Sequence, residues 1–395
     1  MKPLTVGFLR GAGGIGDTLR AVKVREAIVR AGCRVVDIEV NSARPGGGNL
    51  WTLATWRNLV ALATPGSPME KVNRVRANES VRWLVRYRHE NTRRIVDSEL
   101  RGIDILHAET PPWVAVACEV ARVTGLPLVI GLHGFYGVQV AREGAAPGLA
   151  RFWDEVEQEA VARTQAVIVH GEKIKAALRC RHPSAKVEVV VAENGSDIPP
   201  RTARYEQPAR VAYCGAFDVF EGIMLFPKIA EAMDHESSEF VLIGDGEMRG
   251  ELLDYINSHG VPITYLGRRP PEQALDLLSS MQVGVATYTP SAPDRSPQAP
   301  DHWEVNSCMK AIAYAAAGLP SVLPPTGETV DNFRAYDAAV FVTEPSVEAY
   351  VAALRELAEQ DVWRAKAANA RRLAEEQYRW EKVMQPVVDY YRGLG

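Results

Sequence analysis

The chain has 395 residues, 47% hydrophobic and 24% charged, with a formal net charge of −4 at pH 7. That balance belongs to an ordinary folded globular protein and excludes a collagen-like or disordered chain, and a slightly acidic surface carries no electrostatic footprint for a nucleic-acid partner. The length exceeds what one hydrophobic core serves and predicts two domains. The five cysteines, scattered without a CxxC spacing, indicate neither a disulfide framework nor a structural zinc site, and predict a reducing compartment.

Met1-Lys2-Pro3 runs straight into the apolar strand Leu4–Leu9, which Arg10 interrupts too soon for a signal peptide. No apolar run of about 18 residues follows, so a cytoplasmic protein is expected. Gly11-Ala12-Gly13-Gly14-Ile15-Gly16 then opens a helical pattern through Leu19, Val22, Ile28 and Val29. Taken literally this is GxGxxG with Asp37 or Glu39 at the distance a ribose would need, the fingerprint of an NAD(P)- or flavin-dependent oxidoreductase. A second strand, Arg34–Val40, follows the helix stop at Gly32. Next, Trp51, Trp56, Trp83 and Tyr87 lie among Arg57, Arg82, Arg86, Arg88, Arg93 and Arg94. These read either as amphipathic helices packing one face, or as a surface for an anionic membrane or an aromatic or cationic acceptor.

Strands Ile103–His107 and Pro127–His133 flank the helix Pro112–Val123, and Ala166–His170 and Val187–Val191 continue a rhythm that predicts a doubly wound parallel sheet. His133 ends a hydrophobic strand just before Gly134, where a side chain reaches the ligand edge of such a sheet. The alternative is a buried histidine bonded to a backbone carbonyl. Pro199-Pro200 and the charged Arg201–Pro208 form the linker, after which the pattern restarts with Arg210–Gly215. Val241–Gly244, Tyr265–Gly267 and the run ending at Val322 are further buried β segments, the first two ending in glycine. The loop Thr289–His302, rich in Pro, Ser and Asp, reads as a cover over a site or as a disordered excursion. From Ser346 onward the pattern is helical, through Tyr378-Arg379-Trp380-Glu381.

In order and spacing, several of these segments resemble family 4 retaining glycosyltransferases, sugar-nucleotide-dependent enzymes with the GT-B fold. The resemblance is carried by Asp104-Ile105-Leu106-His107, Leu132-His133-Gly134, Asn194-Gly195-Ser196-Asp197, Gly215–Ile223, Val241–Arg249, Ala316–Val322 and Arg379-Trp380-Glu381, and spans nearly the whole chain. It implies two Rossmann-like doubly wound α/β domains facing across a cleft. Residues 1–198 would form the acceptor domain, 199–375 the donor domain, and 376–395 a C-terminal helix packing back on the first. It further implies sugar transfer with retention from a nucleoside-diphosphate donor to a small-molecule acceptor, with no cofactor and no metal, the leaving phosphate helping to deprotonate the acceptor. The implied donor contacts are Gly215, Gly244, Asp245, Gly246, Gly267, Arg268, Lys310 and Glu304. Gly13, Gly14, Gly16 and His107 would line the acceptor or phosphate loop, and His133 would be catalytic. Gly14-Ile15-Gly16-Asp17 is also similar to the first loop of bacterial heptosyltransferases, which implies a base at Asp17; otherwise Asp17 caps the helix.

The departures from the family are specific. Ala216 and Glu221 stand where it carries arginine and lysine against the donor diphosphate, and a glutamate beside phosphate repels it. Two family glutamates align with Val305 and Ala313, leaving Glu304 one residue away. Lys310, at the start of a helical segment, reads as a compensating cation or as a surface lysine on an alanine-rich helix. These losses keep open a catalytically silent or partner-dependent GT-B protein, and an enzyme of specialised metabolism with an unusual donor or a thiol, amine or carbon acceptor.

Overall fold

The computed structural model describes residues 3–11, 18–40, 70–142, 147–218, 221–233, 238–288 and 302–395, with the backbone alone for 70–83, 142 and 302–303. The chain divides into two compact units: Met1–Glu193 with Arg295–Asn306 and Met384–Gly395, and Asn194–Asp294 with Ser307–Val383. The expected boundary lies nearby, at 198/199. Of the expected C-terminal segment 376–395, only the part from Met384 groups with the first unit.

The first unit is built on strands β1 (Thr5–Gly11), β2 (Arg34–Val40), β3 (Ile105–Ala108), β4 (Leu128–Leu132), β5 (Ala166–Val169) and β6 (Glu188–Val191). They lie in the order β2-β1-β3-β4-β5-β6, every neighbour parallel. Parallel neighbours require crossover helices, which cover the faces, so the central strands are apolar runs: Ile-Leu-His-Ala in β3 and Ala-Val-Ile-Val in β5 are buried at every position. His107 is the polar exception, and it sits inside the strand. Trp113 on the helix Pro111–Thr124 belongs to the core that covers this sheet; a large side chain removed from water in this way contributes roughly 1.5–3 kcal/mol. The last helix, Gln385–Leu394, packs against β6 and the helix Leu19–Arg30.

The second unit repeats the plan with β7 (Ala209–Ala216), β8 (Ser238–Asp245), β9 (Ile263–Gly267), β10 (Val283–Val285), β11 (Ser321–Leu323) and β12 (Ala339–Phe341). Its order is β12-β11-β10-β7-β8-β9, again parallel throughout. The expected pair of doubly wound α/β units is therefore what the chain forms. In each sheet the winding reverses between two neighbouring strands, β1 and β3 in the first and β7 and β10 in the second. Loops leaving the carboxyl ends of such neighbours part in opposite directions and leave the crevice where ligands bind in this architecture.

The helix Leu19–Arg30 is capped by Thr18, whose Oγ1 accepts from the Ala21 amide at 3.1 Å, not by Asp17. Asp37 is not open to a ribose: Arg25 holds its Oδ1 at 2.7 Å and its Oδ2 at 3.0 Å, and Arg10 its Oδ2 at 3.3 Å. Gly13, Gly14, Gly16 and Asp17 lie outside the described residues, as do Trp51, Trp56 and most of the loop Thr289–His302. Of the aromatic and basic stretch that is described, Tyr87 is buried, and Arg88 pairs with Glu119 at 2.8 Å and Glu159 at 2.6 Å, the behaviour of a packed helix face.

Candidate active-site residues

In the first unit the switch point gathers three side chains from neighbouring strand ends. Glu109 follows β3 and is buried, and its Oε1 accepts a hydrogen bond from Nε2 of His107 at 2.8 Å. Its Oε2 stands 2.8 Å from Nε2 of His133 and 3.9 Å from Nε of Arg20. Burial alone pushes this carboxyl up, but the hydrogen bonds and charges of the two histidines outweigh it and hold Glu109 well below the ordinary carboxylate range. It is therefore an acceptor only.

His107 is wholly buried, stacked on Phe8 with ring centroids 5.0 Å apart, and its Nδ1 lies 2.6 Å from the hydroxyl of Tyr391. With both nitrogens engaged it cannot touch an acceptor, which corrects the expectation for it. His133, one residue past β4, keeps 27% of its side chain exposed and stacks on His170 at 6.2 Å. The buried histidine bonded to a carbonyl is His170 instead, whose Nε2 lies 2.8 Å from the Val305 carbonyl oxygen. Beside His133 is a cavity of about 30 Å³ whose lining includes Val114, Leu132, Tyr136 and Trp153.

In the second unit, strand register brings the glycine-ended loops side by side: Gly215 pairs with Gly244, Ala216 with Asp245, and Ile243 with Gly267. Gly244 has φ +145°, and a Cβ there would lie 1.9 Å from the Gly215 carbonyl oxygen, so no side chain fits. The Phe217 amide donates to the Asp245 carbonyl at 3.0 Å and the Met248 amide to the Phe217 carbonyl at 2.9 Å, fastening the two loops together. Asp245 accepts from the Gly246 amide at 2.8 Å and pairs with Arg249 at 3.4 Å, while Arg268 is exposed after β9.

Lys310 enters this group from the helix Met309–Ala316 and is buried. Its ammonium is in direct contact with the carboxylate of Glu221, lies over the rings of Tyr288 at 4.6 Å and Tyr213 at 5.2 Å, and runs beneath Gly215, where an added Cβ would meet its Cε at 2.8 Å. Burial pushes the lysine down to about 7 against the upward pull of Asp218 and Cys214, and the touching glutamate further favours the charged form. The Glu221 expected to stand unpaired against a phosphate is thus neutralised by the very lysine expected to replace the missing cations. The surface-lysine reading is set aside by the burial. Glu304, on the short helix His302–Val305, groups with the first unit and is not part of this cluster.

The sequence also matches known families along most of its length. Residues 27–198 match Glycosyltransferase Family 4, and residues 208–360 match Glycosyl transferases group 1. The chain belongs to the family 4, group 1 glycosyltransferases. No curated protein matches it in sequence. Among solved structures, this glycosyltransferase is similar in fold to sucrose-phosphate synthase from Thermosynechococcus elongatus, at 15% identity and a TM-score of 0.73 over 99% of both chains. It is similar to HepE (Alr3699) of Anabaena in complex with UDP-glucose, at 14% identity and a TM-score of 0.68 over 99% of this chain and 100% of the other. A glycosyltransferase from Rickettsia africae follows at 12% identity and 0.63, covering 100% and 99%. The fold is thus GT-B.

Set against the glycosyltransferase's sequence, the structure unites Gly215, Gly244, Asp245, Gly246, Gly267 and Lys310 at one sheet edge, and joins His107 to His133 through a residue that sequence reasoning missed, Glu109. Its signal was available in Gly131, a glycine inside an otherwise aliphatic strand. Among the described residues no group of histidine, cysteine or carboxylate side chains is arranged to hold a metal ion, and no helix is long and apolar enough to cross a membrane.

Proposed function

We propose that this glycosyltransferase takes its sugar from a nucleoside-diphosphate donor held on the second unit and passes it to a small-molecule acceptor with retention, with His133 acting in the transfer. The observation that carries this reading is Lys310, an ammonium buried at the β7/β10 switch point beneath Gly215, whose strand pairs with the next glycine-ended strand at Gly244. Burying a cation is costly unless an anion meets it. In the free protein Glu221 is that anion, and a diphosphate is the ligand chemistry that competes for the same charge. The loops bring backbone rather than side chains toward the ligand edge, which suits a nucleotide lying flat across β7 to β9. Catalysis is then positioning and stabilisation of the leaving diphosphate, whose oxygen takes the acceptor proton on the same face of the sugar. The free state of the cysteines supports work in a reducing cytoplasm.

The test is a calorimetric panel of UDP, GDP, ADP, dTDP and CDP against their nucleosides. One diphosphate should bind clearly tighter than its nucleoside and should raise thermal stability by about 2.7 kcal/mol at 100 times its Kd. Absence of binding by every member overturns the donor reading and favours the silent GT-B alternative.

A further inference from the structure

We propose that Glu109 is a positioning residue for sugar transfer: it fixes His133 as the Nε2–H tautomer and leaves Nδ1 as the working nitrogen, an acceptor for a hydroxyl of the bound sugar. The inference rests on the placing of His133 at the transferred sugar.

An ionised carboxylate has only lone pairs to offer, so a ring nitrogen 2.8 Å from one of its oxygens must carry a proton. Both histidines meet Glu109 through Nε2, one on each oxygen. His107 is then completed from behind. The Tyr391 hydroxyl is held in its protonated form by burial and by the neighbouring Tyr390, Glu109 and Cys33, so it donates to Nδ1 of His107. The chain Tyr391–His107–Glu109–His133 thus has one consistent arrangement of protons, and it ends on Nδ1 of His133. Nδ1 is buried with no hydrogen-bond partner among the described residues; Nε2 lies 2.8 Å from Oε2 of Glu109 without the alignment of a full hydrogen bond, so it is this close carboxylate contact that distinguishes the two nitrogens of a partly exposed ring. A buried acceptor left over beside such a contact is the place a ligand hydroxyl fills.

The strand beneath has been shaped for this. A Cβ on Gly131 would lie 2.4 Å from Oε2 of Glu109 and 2.5 Å from its Cδ, so the carboxylate crosses β4 only because that position has no side chain. Gly131 has no positive φ to account for it. The close approach is its reason, and it means that the orientation of His133 is built from two positions outside the histidine itself.

The experiment uses the full-length protein labelled with ¹⁵N-histidine and free of ligand, with ring nitrogen shifts read at pH 8 and assigned through His133→Ala and His107→Phe. His133 and His107 should both appear as Nε2–H tautomers. Glu109→Gln should return His133 to a tautomer mixture, and so should Gly131→Ala, which displaces the carboxylate without removing it. A wild-type His133 protonated on Nδ1, or one unchanged in both variants, overturns the proposal, and the wild-type spectrum decides even if a variant does not fold. Where turnover is seen with UDP-glucose as the probe donor, Glu109→Gln should lower kcat at least about tenfold with KM nearly unchanged, and should add little in a His133→Ala background. Release of UDP at an undiminished rate by His133→Ala alone would sink the placing of His133 at the sugar while leaving the tautomer assignment intact.

Discussion

Removing one charge of the Lys310–Glu221 pair should damage the protein more than removing both. Lys310→Met leaves the Glu221 carboxylate, only 15% exposed, unpaired close to Asp218, which accepts from the Glu221 amide at 2.9 Å. Breaking such a pair costs roughly 3–5 kcal/mol when fully buried, so about 3 kcal/mol is expected here. Glu221→Gln should cost less, because a lysine already pushed by burial to about 7 can shed its proton. The double variant Lys310→Met/Glu221→Gln should return to within about 1 kcal/mol of the parent, since neither uncompensated charge remains. Urea denaturation at pH 6, where the lysine is charged, measures all four species, and the cycle should show a coupling of about 2 kcal/mol or more. The same variants carry a binding readout with opposite signs. Lys310→Met should weaken a nucleoside diphosphate by about 1.5–3 kcal/mol while sparing the nucleoside, whereas Glu221→Gln should tighten the diphosphate by releasing the lysine to it. Additive stabilities within about 0.5 kcal/mol, or equal losses for diphosphate and nucleoside, would refute the reasoning.

Three further outcomes are expected. Gly244→Ala forces a side chain into φ +145° and onto the Gly215 carbonyl, so it should destabilise the second unit by more than about 2 kcal/mol and abolish nucleotide binding, whereas wild-type affinity would mean these loops do not meet the donor. Glu109 is held below its unfolded value, so its stabilisation is full above about pH 4.5 and is lost as pH falls toward the folded value; urea midpoints at pH 6 and 3.5 should fall less in Glu109→Gln than in the parent, and parallel falls would show that the carboxylate is not coupled to the histidines. His133→Ala should lower turnover while nucleotide affinity stays within a few-fold, measured by product release and calorimetry, because a group that acts on the reacting sugar is felt in kcat rather than in nucleotide binding.

The alternation of short apolar runs with helices determined the two doubly wound units, because a strand buried on both faces must be aliphatic and a parallel neighbour must be reached through a helix. The glycines at 215, 244 and 267 likewise pointed to the ligand edge, since glycine is demanded wherever backbones press together. Pairings across the chain were hidden. Lys310 and Glu221 lie 89 positions apart, and the sequence could not say that the compensating cation and the intrusive anion form one pair. The motif around His107 suggested a ligand contact, yet Phe8 and Tyr391, brought from distant segments, and Glu109, two residues along, make it a buried support. Sequence periodicity reports which face of an element is buried; which polar groups satisfy one another inside depends on distances that exist only after the sheet has closed the loops between them.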